Sequence, residues 1–136
     1  MKKMVLAFML LVGMVHAGNY TKEDRIRDMK EMADAMNTIQ SGFFYNNYET
    51  VAAGVTQLSD AVVNVKPPLE EQEEKNPMAR YMNEKVKMSN KIVKKINQKA
   101  LTILQRFKSG DSAQAVQAYT KIVGQCMKCH REIRHW

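Results

Sequence analysis

At 136 residues with a formal charge of +7, the chain has room for one domain, and its two cysteines exclude a disulfide-dense scaffold. Two cysteines and three histidines, one of which falls in a segment expected to be removed, are too few for a convincing four-ligand structural zinc site. The positive balance favours acidic partner surfaces and gives no argument for nucleic acid in a chain that begins with an export signal.

That signal is Met1 to Ala17. Lys2 and Lys3 form a basic start, Met4 to Val15 an apolar stretch, and Val15-His16-Ala17 a small-residue cleavage site. The apolar stretch is short for a membrane span. Cleavage leaves 18–136 as a single domain in the periplasm and, with Lys2 and Lys3 gone, lowers the formal charge from +7 to +5.

Four segments of helical period follow, and none alternates as a strand does. The first runs from about Thr21 to Gln40, opened by a Thr21/Asp24 capping box, with Ile26, Met29, Ala33, Met36 and Ile39 as its apolar stripe. Ser41-Gly42 is expected to break it, and Asn46 or Asn47 to cap the next helix. The second covers about Tyr48 to Val65, with Val51, Ala52, Val55, Leu58, Val62 and Val63 inward, and Lys66-Pro67-Pro68 ends it. Leu69 to Pro77 is glutamate-rich and reads as a solvated connection.

A third, long helix is expected over about Met78 to Lys108, with Met82, Val86, Ser89, Val93, Ile96, Ala100, Ile103, Leu104 and Phe107 in period. Ser109-Gly110-Asp111 reads as a stop and restart, glycine taking a left-handed position and aspartate capping the fourth helix, about Ser112 to Arg134. That helix presents Val116, Tyr119, Ile122, Val123, Cys126 and Ile133. The predicted fold is all-α, an antiparallel up-and-down four-helix bundle with room to enclose a large group between its helices.

The chemistry is concentrated in Cys126-Met127-Lys128-Cys129-His130. Cys-x-x-Cys-His is the attachment pattern of haem c. Two thiols three positions apart lie on one side of a helical turn, where each can form a thioether with a haem vinyl group. The following histidine then ligates iron. A thioredoxin-like pair would need a βαβ unit, which the periodicity does not supply. A plain disulfide would leave His130 without a role.

Two stretches resemble the cytochrome c′ family. One is Lys108-Ser109-Gly110-Asp111-Ser112-Ala113 leading through Val123-Gly124-Gln125 into Cys126-Met127-Lys128-Cys129-His130 and on to Arg134. The other is Arg25-Ile26-Arg27-Asp28-Met29-Lys30, similar to the family's Arg-x-x-x-Met-Lys segment. The resemblance implies a distal role for Met29 and places Arg25 and Arg134 near the haem propionates. Ile133 stands where the family has Phe or Tyr, and no tryptophan opens the third helix.

The expected function is single-electron transfer with His130 and Met29 as axial ligands, the chain not being an enzyme in the usual sense. The alternative is a five-coordinate iron, Met29 only packing, with nitric oxide or carbon monoxide bound at a vacant distal site. Met29, Met32 and Met36 have helical spacing, which by itself denotes adaptable core. Tyr45, Tyr48, Tyr81 and Tyr119 read as interior or boundary aromatics. Lys85, Lys87, Lys91, Lys94, Lys95 and Lys99 make the third helix basic, a solvated face or a dock for an acidic redox partner. His135 lies on the same helix as His130 and cannot reach the opposite side of the iron. Family members commonly pair through their first two helices, so the resemblance extends to a homodimer, which nothing in these residues decides.

Overall fold

The computed structural model describes residues 20–65 and 75–133, and all the regular structure in them is helical. The export signal, the Pro67-Pro68 stop, most of the glutamate-rich connection, Arg134 and His135 lie outside the described residues.

Helix α1 spans Lys22–Phe44. Its capping box forms as expected: Asp24 N–H donates to Thr21 Oγ1 (3.1 Å), and Thr21 N–H donates to Asp24 Oδ2 (2.9 Å). The expected break at Ser41-Gly42 does not occur. Helix α2, Tyr48–Val62, passes so close that a Cβ on Gly42 would stand 2.6 Å from Val51 Cγ2. Glycine is used here for close approach. The turn comes four residues after Gly42, where Asn46 takes a positive φ of 48° and Asn47 Oδ1 caps α2 by accepting from Thr50 N–H (2.9 Å). Gly54 repeats the device against Ile39, so the two helices run past each other as a tight hairpin.

The expected third helix is two. Helix α3, Pro77–Met82, is followed by α4, Glu84–Lys108. Asn83 interrupts them: it is extended, and its Oδ1 accepts from Lys85 N–H (2.9 Å) and Val86 N–H (3.3 Å), starting α4 afresh. Gly110 then takes a φ of 83° and Asp111 Oδ1 accepts from Gln114 N–H (3.1 Å), as the Ser-Gly-Asp turn predicts. Helix α5 runs Ser112–Ile133.

The core draws on all four long helices, with Ile39, Val51, Leu58, Ile103 and Ile122 fully buried. Burying each such side chain stabilises by about 1.5–3 kcal/mol. Several expected inward positions are displaced. Ile26 is 58% exposed, Val63 53% and Val116 45%, because Ala35, Ile39 and Gly42 set the packed edge of α1, Ala61 and Val62 that of α2, and Ala115 and Ala118 that of α5. Small residues let the backbones approach and turn the larger flanking ones outward.

Candidate functional site

One almost wholly apolar cavity of about 240 Å³, partly open to solvent, lies among the four long helices. Met29, Met32, Ala33 and Met36 of α1 form one wall, with Val62 and Val65 at the end of α2. Ser89, Ile92, Val93 and Ile96 come from α4. Helix α5 closes it with Tyr119, Val123, Cys126, Cys129 and His130.

Helical spacing explains that last set. Ile122 and Ile133 point into the core, and the i+4 and i−4 neighbours Cys126 and Cys129 lie beside them, packed against the core yet half-buried at the cavity. Neither is in a disulfide. Burial, then the neighbouring Cys129, pushes the Cys126 thiol above the ordinary cysteine value. Burial likewise raises Tyr119, with a smaller contribution from a charge on Cys126, which marks the two as neighbours.

Four of the six expected site residues therefore share one cavity: Cys126, Cys129, His130 and Met29. Arg25 is half-buried one turn before Met29 and does not belong to the lining, and Arg134 is outside the described residues. Of the tyrosines, Tyr119 reaches the cavity, Tyr48 lies under the Lys108 ammonium at 5.9 Å, and Tyr45, expected to be interior or boundary, is 81% exposed at the α1–α2 turn. Five of the six α4 lysines are exposed and Lys99 is half-buried, so this face is solvated.

One residue escaped the sequence reading. Asp28, beside Met29, is only 2% exposed and accepts a 2.6 Å hydrogen bond from the Tyr20 hydroxyl. Its signal is the spacing Asp28, Ala35, Ile39, Gly42, a buried seam in which Ile39 is the one large apolar side chain.

The donor set suits a haem. The walls are apolar, two thiols sit one turn apart, an imidazole follows, and thioethers face them from α1. Among the described residues no three His, Cys, Asp or Glu converge on one metal-sized point. A haem needs no such convergence, because its thioethers form at the rim while its axial ligands meet the centre. The cavity falls just below the size that takes whole drug-sized ligands. A macrocycle would enter by displacing methionine side chains, each with three rotatable bonds, and project through the open edge. Comparison with protein-family models, curated proteins and solved structures found no match to this chain.

Proposed function

We propose that this chain is an exported, periplasmic single-electron carrier holding one haem c, in an antiparallel four-helix bundle of the cytochrome c′ kind. The observation that supports the reading most is that Cys126, Cys129, His130 and Met29, from the two ends of the chain, line one apolar cavity. Bound haem supplies a one-electron ferric/ferrous iron couple, and since no substrate bond is made or broken the chain is not an enzyme.

Cys126 and Cys129 would hold the group as thioethers, each S–H adding across one vinyl double bond, and His130 and, from the facing helix, Met29 would ligate its iron, a Met/His pair that would raise the reduction potential. The isoleucine and valine walls would give the group a largely apolar surround. By the family resemblance, Arg25 and Arg134 would be the partners of the haem propionates. The exposed lysines of α4 dock an acidic redox partner.

Acid–acetone extraction of protein from a haem-maturing host tests the attachment. The chromophore should stay with the polypeptide, and Cys129→Ser should leave a single thioether. A chromophore that extracts completely from the unaltered chain would overturn the proposal.

A further inference from the structure

We infer that the same cavity, in chains whose cysteines carry no haem, binds a single Cu(I) ion. The sulfur content of its wall carries the inference. Two thiols, Cys126 and Cys129, and three thioethers, Met29, Met32 and Met36, face one apolar space. Thiolate and thioether sulfur are soft donors that select Cu(I). Among the described residues the wall has no carboxylate, and its side-chain oxygens are the Ser89 and Tyr119 hydroxyls, a poor ligand set for hard cations such as magnesium and calcium.

Cys126 and Cys129 are i, i+3 neighbours, about 5–6 Å apart at their β-carbons, a spacing at which two thiolates bracket one ion. No three His, Cys, Asp or Glu among the described residues converge on a metal-sized point, so His130 does not join the thiols as a compact third donor. A methionine thioether from α1 takes that place, its flexible stem allowing it to close across the cavity. On binding, two S–H protons leave to solvent, two thiolate–copper bonds and one thioether–copper bond form, and copper remains Cu(I) throughout. Thiols consumed as haem thioethers are no longer available as thiolates, so copper and haem exclude each other.

The test is anaerobic competition for Cu(I) between the reduced, haem-free full-length chain and the chelator bathocuproine disulfonate, with helical circular dichroism recorded in parallel. One Cu(I) per chain should be withheld from the chelator, with helicity kept. Replacing Met29, Met32 and Met36 together by leucine, nearly volume-conserving changes, should weaken binding by about tenfold or more with both thiols intact. The Cys126→Ser/Cys129→Ser double variant should not withhold copper. Three results would each overturn the inference: no copper withheld, equal affinity in the methionine variant, or equal uptake by haem-loaded protein. Covalent haem attachment is read separately from the extraction test, so failure of one reading leaves the other intact.

Discussion

At the scale of single residues, two glycines make opposite predictions. A Cβ on Gly54 would lie 2.8 Å from both Ile39 Cγ1 and Ile39 backbone nitrogen, and 3.0 Å from Ala35 carbonyl oxygen. Backbone atoms cannot swing aside, so Gly54→Ala should destabilise by about 1–3 kcal/mol. Gly124 lies within α5 with nothing within 4 Å of its would-be Cβ, so Gly124→Ala should stabilise by about 0.5–1 kcal/mol through its helix preference. Urea unfolding of both variants checks the pair, and equal shifts in the same direction would contradict the close approach of α1 and α2. The glycines also show why Gly42 was misread. A glycine that ends a helix and one that admits a neighbour look alike in sequence, because the neighbour is not local.

At the scale of elements, the caps were the most legible features and the faces less so. Thr21/Asp24, Asn47 and the Gly110-Asp111 restart each satisfy donors within a few residues, so the sequence carries their whole cause. Asn83 carries the same kind of cause but sits between stretches that share one apolar period, and the period concealed the break. Asn83→Ala should cost about 1 kcal/mol and merge or fray the α3–α4 junction, seen as altered amide exchange near Glu84 to Val86. Asp24 is held below the ordinary carboxylate value, first by the Thr21 backbone N–H, then by the Thr21 hydroxyl. Its folded value is depressed, so its contribution is present above the unfolded value and fades as pH falls through the folded one. The difference in thermal midpoint between the native chain and Asp24→Asn should therefore shrink on acidification, and a difference that grows would contradict the cap. The inward faces were displaced at Ile26, Val63 and Val116 because periodicity gives a stripe but not which edge of it meets a partner.

At the scale of the whole molecule, the cavity was only half legible. The Cys-x-x-Cys-His spacing announces its own chemistry, whereas Met29, Met32 and Met36 read equally well as packing until α1 is seen to face α5 across a space. The lysine-rich face of α4 and the formal charge of +5 expected after cleavage predict that oxidation of the reduced holoprotein by an anionic reagent such as ferricyanide slows as salt rises. A rate indifferent to salt would remove the electrostatic docking role. If the proposed haem fills the cavity, holoprotein should unfold at a higher temperature than the haem-free chain.

Met29 ligation is tested most directly by the absorption spectrum of the ferric and ferrous holoprotein, with and without carbon monoxide, for the native chain and Met29→Leu. Low-spin bands indifferent to carbon monoxide are expected in the native protein, and high-spin bands that shift with the gas once Met29 is leucine. High-spin, gas-responsive iron in the native protein would contradict Met29 ligation, leaving His130 as the only protein ligand and Met29 as part of the wall.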